Sequence, residues 1–398
     1  MIPESPIQRL QTYSNALTIT VFLGLLWLPA LDWVFKFDHA PPPTENRLPA
    51  KWPPFKGICE SRVFITGVED YFNDHFGFRK RLIRLNHHWK GQLFHDPSSP
   101  EVLIGKNDWL FYTGANMVEN CSRQATWTDQ ELQAWCRLLE TRRDWLRARG
   151  MSYIFVVPPD KHTVYPEYLP EWVQVGDKPT KIQQLIQHMK AHSTVELLDL
   201  RPILIDAKKV RAAYLKTDTH WNLFGAFMGY QSLVTALARQ MPVLRPLALD
   251  DYKWEPTTRP VCDLVRLMGA TGSYPETQCL KAVNRKALAT LTPVEDPVRF
   301  PLHGPPETRT CVTLNEKGSG KAIVFHDSFA RSWHQFLGQH FKEVVYVWQY
   351  NWNLPLIEQE KPDLVIDETL ERFFNQQDPN ELARRDQEPA ARIASFSP

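Results

Sequence analysis

The chain has almost no net charge, no zinc-type cysteine spacing and no internal repeat. Its 398 residues carry 46 Lys+Arg against 45 Asp+Glu, a formal charge of +1. Without a basic surplus nothing points to a nucleic-acid partner. The six cysteines are Cys59, Cys121, Cys136, Cys262, Cys279 and Cys311, and no two form a C-x-x-C pair. That spacing argues against a structural zinc. What is present is ordinary for a globular protein: 43% hydrophobic and 23% charged residues, in a length that suits one large domain or two smaller ones. Proline (32) and tryptophan (14) are both abundant. So many aromatics suit a carbohydrate-facing groove or a large core equally well.

Charge is also missing from one local stretch. Tyr13 to Leu31 contains no charged residue and is rich in Leu, Val, Ile, Phe and Trp. It is about the ~20 residues that a membrane-crossing helix needs. Arg9 precedes it, Asp32 and Lys36 follow, and Trp27 and Trp33 fall where an interfacial belt would lie. The expectation is a short cytoplasmic N-terminus (1–12), a transmembrane anchor (13–35) and an exported remainder. A cleaved signal peptide and a buried core helix are the rival readings; no small-x-small cleavage pattern follows the run. An exported location permits disulfides. Of the 15 pairings that six cysteines allow, Cys262 with Cys279 closes a short, cheap loop, and free buried thiols are the alternative.

Pro41, Pro42, Pro43, Pro49, Pro53 and Pro54 mark an extended linker over 36–60. Two short strands flank Gly105 to Asp108. Thr128 with Glu131 forms a capping box that opens a helix ending at Gly150. Tyr153 to Val157 is a buried-strand run. Helix-then-strand repeats downstream: a helix through Ile182 and Met189, a strand over 195–200, a helix over 223–237, and strands near 322–325, 344–348 and 364–367. The pattern predicts an α/β domain over 61–375, a parallel sheet flanked by helices. Residues 240–310 break the rhythm and read as an irregular insertion, and 376–398 as a flexible tail. Ligands of such sheets sit beyond the carboxyl ends of the strands.

Two stretches carry the chemistry. Thr217-Asp218-Thr219-His220-Trp221-Asn222 places a carboxylate and an imidazole two positions apart. Ala322 to Phe329 places Ser328 just past a buried strand, resembling a nucleophile elbow without the G-x-S-x-G pattern. If the first stretch is extended, Asp218 and His220 share a face, and the carboxylate can hold one ring nitrogen while the other meets Ser328. A helix starting after Ser328 would offer free backbone N–H groups to an oxyanion. The bland readings stay open. Ser328 can be an N-cap helped by Asp327, and Asn222 or Asp218 can cap the next helix and leave His220 structural. Asp218, His220, His326 and Asp327 also have the residue types of a hydrolytic metal site, although no motif spacing supports it. Lys161, on the loop after the 153–157 strand, is a candidate for steadying an oxyanion or substrate carboxylate, or a plain surface lysine. Trp221 and Asn222 are expected beside the groove as substrate-binding residues.

The combination resembles the alginate O-acetyltransferase family. Its markers are Asp74-His75-Phe76-Gly77-Phe78-Arg79, Val102 to Tyr112, Val156 to His162, Thr217 to Asn222, Asp263-Leu264, Phe325 to Phe329, Lys361 to Ile366 and Glu371-Arg372. His326-Asp327 departs from the small residues expected before the serine. The resemblance implies an SGNH-hydrolase-like fold and a catalytic triad of Ser328, His220 and Asp218. It also implies no cofactor, an exopolysaccharide acceptor, and a membrane O-acyltransferase as donor partner. The implied location is the inner membrane, with the catalytic domain in the periplasm. A deacetylase or esterase on the same triad, and a non-catalytic polysaccharide-binding subunit, are the alternatives.

Overall fold

A computed structural model describes residues 6–37, 50–54, 61–78, 101–258, 262–268, 276, 279–284, 288–301 and 305–387. Most of the proline-rich linker, Cys59, Arg79 and the tail beyond 387 lie outside these residues. The chain divides into two compact units, Met1–Ser99 with Arg266–Thr271, and Pro100–Val265 with Gly272–Pro398.

The first unit holds helices α1 (Pro6–Phe35) and α2 (Ser61–His75). The Phe-Gly-Phe turn after α2 closes on the end of α1. A Cβ on Gly77 would stand 2.2 Å from the carbonyl oxygen of Pro29, so only glycine permits the approach. Phe78, at φ +57, donates its N–H to Asp32 Oδ2 at 3.0 Å. The expected anchor over 13–35 is not supported. Among the described residues no helix is long and apolar enough to cross a membrane. Ser14, Asn15, Thr18 and Thr20 dilute the apolar run, and both threonine hydroxyls bond back to the helix's own carbonyls at 2.8 Å.

The second unit is an α/β sandwich. Its strands are β1 (Val102–Ile104), β2 (Leu110–Tyr112), β3 (Ser152–Val157), β4 (Leu197–Asp199), β5 (Tyr252–Pro256), β6 (Leu280–Asn284), β7 (Val294–Glu295), β8 (Cys311–Leu314), β9 (Lys321–His326), β10 (Glu343–Trp348) and β11 (Leu364–Glu368). Seven of them form one sheet in the order β4-β3-β11-β9-β10-β8-β7. From β4 to β10 the pairing is parallel, but β8 runs antiparallel to β10 and β7 antiparallel to β8. The sheet is therefore mixed, where a parallel one was expected. The difference lies in two short strands contributed by the insertion side, which reach the edge without a helical crossover. That insertion is also less irregular than its composition suggests, because β5 and β6 pair antiparallel.

Side chains alternate across the sheet with the strand period of two. Tyr153, Phe155, Val157, Phe325 and Val365 point to one layer, with Trp135 and Leu139 of helix α3 (Asp129–Arg147) and Leu185 of α4 (Lys181–His192). Ile154, Val156, Val324 and Ile366 point to the other, with Leu204 of α5 (Arg201–Val210) and Phe227 and Tyr230 of α6 (Leu223–Leu237). Burial on both faces is why these strands read as unbroken apolar runs. Helix α3 opens on the Thr128–Glu131 capping box.

The end of the chain is not uniformly loose. Helix α7 (Pro379–Asp386) is tied to the sheet through Asp386, which accepts from Arg142 Nε at 2.7 Å. The same buried guanidinium pairs with Asp367 of β11 at 2.5 Å and lies 4.9 Å from the Trp352 ring. Cys121, Cys136 and Cys311 are free thiols, and Cys262 and Cys279 are buried.

Candidate active site

The serine turn begins where central strand β9 ends. Asp327 is buried and its carboxylate fastens the turn, accepting the Phe329 N–H on one oxygen and the Leu370 N–H on the other, both at 2.9 Å. Its own N–H donates to Glu368 Oε2 at 2.9 Å. Burial, and then the charge of Asp327, raise Glu368 well above the usual carboxylate range. Phe329 and Trp333 are fully buried below the turn. Asp327, not Ser328, therefore caps the backbone here. It also takes the Phe329 N–H that was expected to be free for an oxyanion, while the Ser328 N–H has no partner among the described residues.

The histidine loop is not an extended strand end, as the alternation argument required. It is a tight excursion between α5 and α6. Tyr214 and Trp221 bridge antiparallel, Leu215 donates to the His220 carbonyl at 3.1 Å, and Asn222 to that of Ala213 at 2.9 Å. Within the loop Asp218 Oδ1 accepts both the backbone N–H of His220, at 3.1 Å, and its ring Nδ1, at 2.6 Å. A side-chain-to-backbone turn, and not strand pleating, is what lets residues two apart meet.

Loop and turn converge although 108 positions separate them: His220 Nε2 lies 2.8 Å from Ser328 Oγ. Nδ1 sits against Asp218 Oδ1, which in the neutral ring fixes the proton on Nδ1 and leaves Nε2 to accept from the serine. Burial by itself depresses His220, but the bonds to Asp218 and then Asp263 outweigh it and push the imidazole up to about 9. The ring keeps 24% of its side-chain surface exposed, so a reactant can reach it.

Three expected substrate-binding residues have other work. Trp221 is 2% exposed, packs 5.1 Å from Phe329 and 5.5 Å from Trp333, and donates Nε1–H to the Phe329 carbonyl at 3.2 Å. It braces the turn from below and lines no groove. Asn222 is buried and caps α6, its Oδ1 accepting the Gly225 N–H at 3.0 Å. Lys161 is 3% exposed and its ammonium faces backbone carbonyls. Half-buried aromatics at these strand ends are instead Trp348, which closes β10, Tyr350 just beyond it, and Phe373, after β11.

Asp263 and Glu276 enter the site from the insertion. Asp263 accepts the Thr219 N–H at 2.7 Å and the Thr219 hydroxyl, stands 3.5 Å from His220 Nδ1, and donates its own N–H to Asp218 Oδ2 at 3.1 Å. Glu276 accepts the Thr217 N–H and hydroxyl, both at 2.8 Å. Their segment has no hydrophobic period, so only the family likeness flagged Asp263. The trio Asp218, His220 and Asp263 has metal-ligand chemistry, with donor atoms within 4.8 Å of one another. But the imidazole nitrogen and both Asp218 oxygens already hold protein partners. His326, another ligand that a metal reading would use, turns Nδ1 to the Asp327 carbonyl at 2.5 Å, and burial pulls it down to about 4. The arrangement fits proton transfer between a serine and an imidazole, not ion coordination.

With that geometry in place, likeness to known proteins can be set beside it. Residues 102–299 match the SGNH hydrolase-like domain of the acetyltransferase AlgX. A probable alginate O-acetylase AlgJ of Pseudomonas syringae pv. tomato is 26% identical over 233 residues, covering 57% of this chain and 53% of that protein. The AlgJ of Pseudomonas aeruginosa is 30% identical over 134 residues, covering 34% of this chain and 32% of its own length. The first of these relatives is thus matched over about half its length. Bacillus cereus PatB1, solved with a sulfonyl adduct, is 16% identical and superposes with a TM-score of 0.53 over 73% of this chain and all of PatB1, a likeness of fold. Through residues 102–299 the chain belongs to the family of SGNH hydrolase-like, AlgX-type acetyltransferase domains.

Proposed function

We propose that this chain is an O-acetyltransferase that acetylates hydroxyls of a secreted polysaccharide through an acetyl-Ser328 intermediate. One observation carries the reading: Ser328 Oγ, the His220 ring and the Asp218 carboxylate stand in line at 2.8 and 2.6 Å. His220 Nε2 takes the serine proton as Oγ attacks the donor's acetyl carbonyl, and Asp218 stabilises the imidazolium. The tetrahedral oxyanion collapses, the donor's carrier leaves with the proton from His220, and acetyl-Ser328 remains. A sugar hydroxyl then attacks it, His220 removing that proton and returning it to Ser328. The Ser328 N–H is the backbone donor that this reading offers to the developing oxyanion. Tyr350 and Phe373, with ring centroids 5.2 Å apart, offer faces on which a sugar ring can stack.

The polysaccharide acceptor rests on relatives that are named as alginate O-acetylases. An exported location and a membrane O-acyltransferase as acetyl source belong to the same proposal, because acetyl-CoA is cytoplasmic while the polymer is not. Water attacks an acyl-enzyme as a hydroxyl does, so an esterase uses identical groups. The test is covalent labelling of Ser328 by a serine-directed phosphonate, followed by product analysis with an activated acetyl ester in the presence and absence of glycan. Labelling at Ser328 with glycan-dependent ester formation is expected; unlabelled Ser328 would leave the non-catalytic binding subunit as the better reading.

A further inference from the structure

Lys161 begins the short helical turn that follows β3 and is almost completely buried. Its Nζ donates to three backbone carbonyls of the histidine loop: Leu215 at 3.2 Å, Lys216 at 3.2 Å and Asp218 at 2.7 Å. An ammonium has three N–H donors, and here each has one acceptor; a neutral amine would leave one carbonyl without its bond. The rings of Trp109 and Phe111 stand 5.8 and 5.4 Å away and keep water off the group. Among the described residues no other side chain gathers three backbone carbonyls of this loop. Glu276 holds Thr217 and Asp263 holds Thr219 from the opposite, donor side of the backbone. The carbonyls thus turn inward to a cation and the N–H groups outward to two carboxylates.

We propose that Lys161 is a positioning residue for the Asp218–His220 pair, its ammonium gathering the carbonyls of residues 215, 216 and 218 so that the loop aims the imidazole at Ser328. The inference rests on the triad reading given above. It assigns Lys161 no contact with substrate. Asp218 is pinned at its carbonyl by Lys161 and, through its carboxylate, by the N–H groups of His220 and Asp263. Releasing the carbonyl lets the residue swing about its remaining bonds and lengthens the reach from Nε2 to Oγ. Misplacement of about 1 Å at a reacting group costs on the order of 100-fold in rate.

The test is the full-length Lys161→Met protein, which keeps the apolar stem and removes all three donors. Expected results are retained cooperative unfolding, a kcat for acetyl transfer lower by on the order of 100-fold, an unchanged KM, and displacement of the downfield proton resonance of His220 Nδ1–H. That resonance reads the bond to Asp218 without any turnover. A folded Lys161→Met protein with ordinary kcat and an undisplaced resonance overturns the proposal. If Lys161→Met does not fold, Lys161→Arg decides by the same readouts: a planar guanidinium keeps the charge but cannot aim three donors at three converging carbonyls. Normal kcat and resonance in that protein likewise overturn it. A displaced resonance with undiminished transfer, in Lys161→Met and in Ser328→Ala alike, supports Lys161 as the loop's clamp and removes the triad reading instead.

Discussion

Replacing Asp218 by Asn removes the charge that holds the His220 imidazolium and leaves the side chain nearly the same shape. The structure puts a size on the effect. His220 is raised from 6.5 to about 9, against the pull of burial, by Asp218 first and Asp263 second. That interval corresponds to about 3 kcal/mol of preference for the charged ring. In Asp218→Asn only Asp263, at 3.5 Å, remains, so the pKa falls towards or below 6.5. The amide also ceases to select the tautomer that accepts from Ser328, and kcat falls by a factor on the order of 10⁴. Stability moves in a defined direction. The folded pKa of His220 lies above its unfolded value, so its contribution is fully present below pH 6.5 and is lost as pH rises to about 9. The difference in unfolding free energy between unmodified protein and variant therefore shrinks by up to about 3 kcal/mol across that window. Imidazole titration by NMR and urea unfolding at pH 6 and 9 measure both. An Asp218→Asn protein whose His220 still titrates near 9 refutes the assignment of the shift to that carboxylate.

Arg142→Ala strips the counter-charge from buried Asp367 and unties α7, and should cost about 3–5 kcal/mol in urea unfolding. Glu368→Gln tests the buried carboxyl beneath the serine turn. Because the folded pKa of Glu368 is raised, its contribution is present below its unfolded value and fades as pH climbs through the folded one. The Gln variant should lose that decline with rising pH, visible as a flatter dependence of unfolding midpoint on pH. Asn222→Ala removes the cap of α6 and should destabilise by about 1 kcal/mol. Any loss of transfer beyond that fall in thermal stability would return Asn222 to the list of substrate contacts.

Much of the core was legible because buried strands announce themselves. Tyr153 to Val157 and Ala322 to Phe325 are unbroken apolar runs, and the Thr128–Glu131 box marks the start of α3. Ser328 was legible from its place just past such a run. What escaped has a common physical cause. Lys161 serves backbone carbonyls, which leave no trace in side-chain pattern. Trp221 looked like a sugar platform because a tryptophan beside a histidine carries no label saying which way it faces. It is buried because the loop reverses on itself between Tyr214 and Trp221. The antiparallel edge of β7 and β8 is short and fed by the insertion, where neither helical nor strand period survives. Asp218 and His220 do meet, but through a turn closed by the Asp218 carboxylate, so the pairing was anticipated for a reason the structure does not share.

The central claim is a covalent acetyl group on Ser328. The most direct measurement is peptide mass spectrometry of the full-length protein quenched in acid within the first turnover on an activated acetyl ester without acceptor. The account predicts one acetyl group on the peptide containing Ser328, its build-up abolished in His220→Ala and its discharge accelerated by adding glycan. Acetyl transfer at an ordinary rate by Ser328→Ala, or acetyl found on another residue with Ser328 unmodified, would contradict it.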